Sequence, residues 1–450
     1  MSLENLDNVI DFIIDNGLIA KGDRVGIGVS GGVDSMSLLH FLHSISQQAG
    51  FSVIAVNVNH NIRPGSRKDS AFVSKFCKEN GIEHVNYNVD VPSFAKQQKM
   101  GIEQAARIKR YEAFETAIKK KKLDKIALAH HAGDQAETIL LNIFRGSGLT
   151  GASGMQAKRG PFIRPFLETK KEDLVAYCYR MQVPHVEDES NNDDRFSRNF
   201  IRNQVMPLLQ SEWRGVQKNI IDFGKNCRMD DEYLNSIVET SWMMGEENLI
   251  RIPLNLFLYP AAIVNRIVIA GFEKIGRREN IEKKHVELVV TLALTGENGS
   301  RSDLPGGMFA VREYEHIAIV KKQSAASTRV YSFKIGKTVF AEYGSISVIK
   351  TISYKEALNR GLMVMDVDKV PKNAKWRTRK DGDVFTKFGG GTKALAAYMI
   401  DKKIPARLRD RIPVLAVGNE ILAVAGVEIS DKAKVDDQTI EAYVLEFLPE

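Results

Sequence analysis

The sequence predicts an α/β protein built on a doubly wound parallel sheet, with a helical middle section and a small α+β C-terminal section. Three observations carry that prediction. Over the first two hundred residues, short runs rich in Val and Ile alternate with amphipathic stretches, the pattern of βαβ units. After Pro207 the texture changes to long helical stretches, with few strand signals between about 212 and 300. From 327 to 350, STRVYSFKIGKTVFAEYGSISVIK reads as short strands, and the last hundred residues look α+β. At 450 residues the chain is too long for one ordinary core. The expected domains are 1–211, 212–325 (mainly helical) and 326–450 (basic, α+β).

Each element can be read in order. MSLENLDNVIDFIIDN is acidic where a signal peptide would be basic, and reads as an amphipathic helix. RVGIGVS is the first buried strand and VDSMSLLHFLHSIS its helix. FSVIAVNVNH is the second strand, followed by helical RKDSAFVSKFCKENG. HVNYNVDV is the third, with the long IEQAARIKRYEAFETAIKKK after it. KIALAHH is the fourth, and DQAETILLNIFRGSG the next helix. In sheets wound this way, ligands bind at the carboxyl ends of strands, where the strand order switches. Further on, LPGG at 304–307 and the alternating residues after it predict a hairpin.

Composition narrows the function classes. A hydrophobic fraction of 44% with 26% charged residues is the balance of a soluble globular protein. No apolar run reaches the ~18 residues of a membrane span. NLFLYPAAIVNRIVIAGF comes nearest, and Pro260, Asn265 and Arg266 break it. Cys77, Cys178 and Cys227 lie far apart with no C-x-x-C, which disfavours a disulfide framework or a zinc ribbon and fits a reducing cytoplasm. The net charge of +7 hints at a polyanionic partner. Its distribution says more: from Lys372 to Arg411, twelve Lys or Arg face four Asp, interleaved with Trp376, Phe385, Phe388 and Tyr398. KKKKLDK at 119–125 reads as a solvated helix end.

GIGVSGGVDS, residues 26–35, can be read two ways. From Gly26 it spells the G-x-G-x-x-G of a dinucleotide turn. But Val25, Ile27 and Val29 carry the strand past Gly26 and Gly28, and the second strand ends in NVNH, with no acid for a ribose. From Ser30 it spells S-G-G-V-D-S, and this reading works physically. Gly31 and Gly32 let the backbone approach an anion, Ser30 and Ser35 supply hydroxyls, and a helix starting near Val33 offers its positive end. Asp34 in such a site calls for a divalent cation between it and the phosphates. Two decoys fall away. IGKT at 335–338 has Tyr331 where a P-loop needs glycine, and DESNNDD at 188–194 lacks the glycine and the glutamate of a calcium loop.

S-G-G-x-D-S resembles the pyrophosphatase loop of adenylating enzymes, the PP-loop superfamily with its adenine nucleotide alpha hydrolase-like fold. Further segments narrow the likeness: VNHNIR at 58–63, GIEQAARIKRY at 101–111, LAHHAGDQAETILLNIFRGSG at 128–148 and IRPFLETKKEDLVAYC at 163–178. To these are added DESNNDDRFSRNFIRNQVMPLL at 188–209, LPGG with Arg312 and Tyr314, and RTRKDGDVFTKFGGGTKALAAYMIDKKIPARLRDRIPVL at 377–415. Together they resemble the tRNA(Ile)-lysidine synthetase family over most of the chain. The resemblance implies a cytoplasmic ligase. ATP adenylates the wobble cytidine of a tRNA(Ile) with a CAU anticodon, releasing pyrophosphate, and free L-lysine then displaces AMP. It implies an ATP-binding first domain and tRNA-binding middle and C-terminal domains. No membrane is implied, and the oligomeric state is left open.

Residue roles follow from the resemblance. Ser30, Gly31, Gly32, Val33, Asp34 and Ser35 hold ATP, with Asp34 also on magnesium. Asp134 and Glu137 form D-x-x-E, which is also a capping-box pattern; as an i, i+3 pair they place two carboxylates on one helix face, where they can hold the lysine ammonium. The family often has a second acid where Gly133 stands, so the role falls on Asp134. His130 and His131 end a strand at the ligand edge, His130 as a catalytic group and His131 against substrate. Arg107 joins the catalytic set, and Arg110, Arg198 and Arg202 are clamps for phosphate, adenylate or the lysine carboxylate. TKAL at 392–395 departs from the family, which commonly has a second lysine there.

Three rivals use the same residues. A 2-thiolation enzyme on this loop needs a cysteine pair or an iron–sulfur cluster, and three scattered cysteines argue against it. A small-metabolite synthetase needs an ammonia supply, and no nucleophilic cysteine lies near the N-terminus. A non-catalytic RNA-binding module has no use for Asp34, Asp134 and Glu137.

Overall fold

A computed structural model describes residues 6–62, 66–186, 197–238, 244–246, 248–276, 281–321, 329–340 and 343–448. The chain divides into two compact units, Met1–Tyr233 and Leu234–Glu450. DESNNDD at 188–194 lies outside the described residues.

The first unit follows the predicted alternation. Its elements are α1 (Asp7–Asp15), β1 (Arg24–Gly28), α2 (Val33–Ala49), β2 (Ser52–Asn59), α3 (Ser66–Glu79), β3 (Glu83–Asn88), α4 (Val91–Gln98) and α5 (Ile102–Lys121). Then come β4 (Lys125–Ala127), α6 (Ala132–Phe144), α7 (Leu149–Ala152), β5 (Lys158–Arg159), β6 (Phe162–Ile163), α8 (Lys171–Arg180), α9 (Ser197–Phe200), α10 (Met206–Glu212) and α11 (Val216–Ser236). The sheet order is β3-β2-β1-β4-β6-β5. All neighbours pair in parallel except the edge hairpin β5–β6. Side chains alternate between two cores, as the pleat requires. Val25, Ile27, Ala55 and Ala127 face the α1, α2, α3 and α8 side. Ile54, Val56 and Ile126 face Phe114 and Ala117 of α5.

Two boundaries moved. The expected third strand ran to Val91, but Asp90 accepts a hydrogen bond from Ser93 N at 3.1 Å and starts α4 there. Helix α11 packs on the first unit, where Arg228 Nη2 donates to the Ser153 and Met155 carbonyls at 2.7 and 2.6 Å. The compact unit therefore runs to Tyr233, beyond the expected 211.

In the second unit the expected helices are present at Ala261–Lys274 and Lys283–Thr295. The helical reading was incomplete, because a five-stranded antiparallel sheet packs with them. It runs Met244–Glu246, Leu249–Pro253, His316–Lys321, Met308–Arg312, Arg301–Leu304. The hairpin predicted after LPGG is there, with Met308 opposite Lys321. IGKT enters a strand, Gly336–Phe340, in keeping with its rejection as a phosphate loop. Beyond it, a seven-stranded and a four-stranded sheet share one core. Trp376, Phe385 and Tyr398 are fully buried in that core, and only Phe388 of the four interleaved aromatics is exposed. Arg377 is buried too, in a two-bond fork with Asp383 at 2.7 Å each. Part of the basic stretch is therefore scaffold.

Candidate active site

The opening loop resolves as the residues suggested. Gly26 and Gly28 lie inside β1. A Cβ at Gly26 would stand 2.5 Å from Ile126 Cδ1, and one at Gly28 would stand 2.9 Å from Phe114 Cζ, so both glycines serve sheet and helix packing. The turn comes at Ser30-Gly31-Gly32, where Gly31 has φ +98°, a conformation that favours glycine. Ser35 Oγ accepts from Ser30 N at 3.1 Å and donates to Gly32 O at 3.0 Å, so the second serine braces the loop. No side chain caps α2, whose first turn opens onto the loop.

A cavity of about 430 Å³ lies at the carboxyl ends of β1, β2 and β4, within the ~300–1,000 Å³ common for small-molecule sites. Val56, Val58, Phe114 and Leu128 give it an apolar wall, and Ser30, Gly32, Asp34 and Ser35 form its phosphate-loop side. Three residues on this lining carry an enclosed polar atom with no hydrogen-bond partner: Asp34 Oδ1, His60 Nδ1 and His130 Nδ1. Orphaned atoms gathered at one cavity are what a polar ligand would satisfy. Burial, with Arg110 nearby, pushes His60 down to about 4. Burial likewise pushes His130 down to about 3, against the pull of Asp134. Both rings are neutral at pH 7.

Strand β4 ends at Ala127, so His130 and His131 project past it. His131 is the N-cap of α6: its Nδ1 accepts from Gly133 N at 3.0 Å and Asp134 N at 3.4 Å. Asp134 Oδ2 returns a bond from His131 N at 3.0 Å. The capping box is therefore His131 with Asp134, and Glu137 has no part in it. A Cβ at Gly133 would come within 2.8 Å of the His131 ring, so in this chain glycine suits that cap. With Nδ1 accepting, the His131 proton sits on Nε2. That atom lies 3.9 Å from Asp34 Oδ2 and 3.6 Å from Asp134 Oδ2. It links the phosphate loop to α6.

Asp134 and Glu137 share a face of α6, as their spacing required, and both are buried. Their partners are Arg198 and Arg202. Asp134 Oδ1 accepts from Arg198 Nη2 at 3.0 Å and Arg202 Nη2 at 2.8 Å. Glu137 accepts from Arg198 Nε at 3.0 Å, Arg202 Nε at 2.6 Å and Arg202 Nη2 at 2.9 Å. Burial would raise the Asp134 carboxyl, but His131, Arg198 and His130 outweigh it and hold it down at about 2. Burial would lower the Arg202 guanidinium, and Glu137 and Asp134 raise it instead. The arginines expected to clamp substrate are thus paired with the acids expected to hold it.

Arg110 lines the cavity. Arg107, one turn earlier, lies outside that lining with its guanidinium 5.4 Å from the Tyr111 ring centroid. Sequence reasoning missed Lys171, whose Nζ donates to Asp34 Oδ2 at 2.9 Å. It also missed Arg164, buried after β6 with Nε unpartnered. Both lie inside the quoted segment 163–178, where a basic residue beside the strand-end positions was the available sign. Among the described residues no three His, Cys, Asp or Glu side chains gather to hold a metal. Asp34 alone, with Oδ1 unpartnered, fits a magnesium ion that takes one carboxylate and draws its other ligands from phosphate and water.

Comparison with known proteins adds to this geometry. Residues 3–209 match the PP-loop domain family, and residues 374–445 match the TilS substrate C-terminal domain. The chain is 32% identical over 450 residues to the tRNA(Ile)-lysidine synthase of Clostridium tetani, covering 96% of each protein. It is 32% identical over 459 residues to that of Caldanaerobacter subterraneus subsp. tengcongensis, covering 99% of this chain and 98% of the other. It is also 30% identical to the bifunctional protein TilS/HprT of Listeria monocytogenes, covering 97% of this chain and 69% of that one.

Proposed function

The chain belongs to the tRNA(Ile)-lysidine synthase family, and from that premise we propose that it joins free L-lysine to C2 of the wobble cytidine in a tRNA(Ile) with a CAU anticodon. One observation carries the assignment to this site. The cavity with its three orphaned atoms, beside the phosphate loop, is linked through His131 to a helix face bearing two carboxylates. An adenylating ligase that uses an amine needs both features adjacent.

The apolar wall at Val56, Phe114 and Leu128 receives the adenine, and Ser30 through Ser35 receive the phosphates. Magnesium, when bound at Asp34, supplies charge neutralisation of the phosphates. The wobble cytidine leaves its loop for the pocket, as single-stranded RNA bases do on recognition. Its O2 attacks the α-phosphorus, and the bond to the β-phosphate breaks, releasing pyrophosphate. Arg110 and the loop stabilise the charge that develops. The lysine ε-amine then attacks C2, the C2–O bond breaks, and AMP leaves.

Asp134 and Glu137 hold the incoming ammonium and take a proton from it before attack, since the free amine has a pKa of ~10.4 and must be neutral to form the C–N bond. Arg198 and Arg202 occupy those carboxylates until lysine takes their place, which frees two guanidinium groups for phosphate or for the lysine α-carboxylate. Neutral His130 donates or accepts at the cytosine edge. Arg107, on its Tyr111 stack, meets the RNA rather than the nucleotide. The second unit binds the rest of the tRNA, and Tyr259 and Phe388 are exposed aromatics there.

The test is AMP and pyrophosphate release with purified protein, a tRNA(Ile) transcript and each amino acid in turn. AMP release that depends on lysine and on the CAU anticodon supports the reading; AMP release with a sulfur donor in place of lysine overturns it. The cysteines favour the first outcome. Cys77, Cys178 and Cys227 are buried, with thiols raised by burial, Cys77 to about 11. None is the accessible thiolate that sulfur transfer uses.

A further inference from the structure

The S-G-G-V-D-S loop carries two hydroxyls and an acid but no cation of its own. A triphosphate brings several negative charges to a place where Asp34 already holds one. The nearest basic side chain is Lys171, 137 residues further along the chain, with Nζ 2.9 Å from Asp34 Oδ2. Its place is built. Helix α8 lies along α2, where Ser37 Oγ meets Cys178 Sγ at 3.0 Å and Leu174 O at 3.4 Å. The turn before α8 is tied to α6, with Ala132 N donating to Thr169 O at 2.9 Å. Lys171 is thereby held where the first turns of α2 and α6 converge. Its side chain stays 43% exposed and that of Asp34 28%, so a ligand can reach both.

We propose that Lys171 is the phosphate-binding cation of this loop: paired with Asp34 in the free protein, it turns to the β- and γ-phosphates of ATP when nucleotide and cation arrive. The pairing keeps Asp34 Oδ2 neutralised in the empty site while Oδ1 stays free for the divalent cation. On binding, the phosphates offer Lys171 more negative charge than one carboxylate does, and Asp34 passes to the cation. Lysine suits this exchange better than arginine in one respect, since a flexible point charge can swing between partners without needing a planar fork. The proposal rests on the reading of residues 30–35 as the ATP loop.

Equilibrium dialysis of the full-length protein against labelled ATP and, separately, labelled AMP, with Mg2+ present and no tRNA or lysine, tests it. Lys171→Met should weaken ATP by about tenfold or more, the loss of one charge-assisted bond, and leave AMP within about threefold. Lys171→Arg should keep most of the ATP affinity. Unchanged ATP binding in Lys171→Met overturns the proposal. So does an equal loss for ATP and AMP, which would mark a structural role for the Asp34 pair. AMP binding also reports that the variant is folded. Wild-type protein that binds no ATP would instead overturn the loop reading itself, and a failure of lysine-dependent turnover would leave this assay untouched.

Discussion

Glu137→Gln separates the two halves of the proposed reaction. Glu137 is 4% exposed, and its carboxylate takes bonds of 3.0, 2.6 and 2.9 Å from Arg198 and Arg202. The amide keeps the volume and removes the charge. Breaking a buried ion pair costs about 3–5 kcal/mol. Here the two arginine side chains remain 27% and 32% exposed, and both keep Asp134 Oδ1 at 3.0 and 2.8 Å. A smaller loss of roughly 1–3 kcal/mol is therefore expected, or a melting point lower by about 3–10 °C. For catalysis, the lysine ammonium loses one charged partner, roughly 1.5–3 kcal/mol, so kcat/KM for lysine falls about 10–150-fold. Adenylation makes no use of Glu137, and the first-turnover burst of pyrophosphate with tRNA alone should stay within about threefold. Rapid-quench measurement of that burst, followed by a lysine titration, gives both numbers. A burst that falls as far as the lysine step would place Glu137 at the phosphate end and refute the assignment.

Asp34→Asn removes the carboxylate offered to the cation, and pyrophosphate release should drop by roughly 10²–10³-fold; release within a few-fold of wild type would take Asp34 out of the ATP site. Acid stability follows from the depressed groups, His60 at about 4 together with His130 and Asp134. Their folded values, about 3 for His130 and about 2 for Asp134, lie below the ordinary 6.5 of histidine and 3.8 of aspartate. Stabilisation is complete above the ordinary value and drains as pH falls, between about 6.5 and 4 for His60, about 6.5 and 3 for His130 and about 3.8 and 2 for Asp134. Urea midpoints should thus decline from pH 7 to pH 4, and His130→Asn should flatten that decline; parallel curves would show that His130 titrates alike in both states. Arg377→Met strands Asp383, which is 2% exposed, and should cost about 3–5 kcal/mol. Thermal unfolding reads it, and an unchanged midpoint would contradict the buried fork.

The parts of the fold that were legible share a cause. Strands β1, β2 and β4 are bracketed by helices whose apolar faces must cover a two-sided sheet, so the alternation of Val/Ile runs with amphipathic runs is forced on the sequence. The five-stranded sheet of the second unit leaves a weaker trace. LIRIP alternates for five residues only, and of its two partners one, Met244–Glu246, is three residues long and the other, His316–Lys321, is more than sixty residues away. A strand that short is set by its neighbours. The aromatics of the basic stretch mislead for a related reason. Trp376, Phe385 and Tyr398 alternate with charge because each strand or helix has a wet face and a buried one, and the buried face belongs to the core.

The site shows the same division more sharply. Local spacing placed Asp134 and Glu137 on one face of α6 and Gly31 at the turn, because helix period and backbone sterics act within a few residues. It did not reveal that Arg198 and Arg202 would close on those acids, or that Lys171 would reach Asp34, because those pairs join elements 61 to 137 residues apart. Electrostatics explains why such pairs must exist. Asp134 and Glu137 are too enclosed to stay ionised without cations, so on the proposed reading, in which both acids receive an amine, the amine's place must be filled while the site is empty. Arginines on a neighbouring helix do this reversibly, since their exposed side leads to solvent and to incoming phosphate. The cation excess that results, Lys171, Arg110, Arg198 and Arg202 against Asp34, Asp134 and Glu137, suits a site that must admit a triphosphate before it admits a lysine.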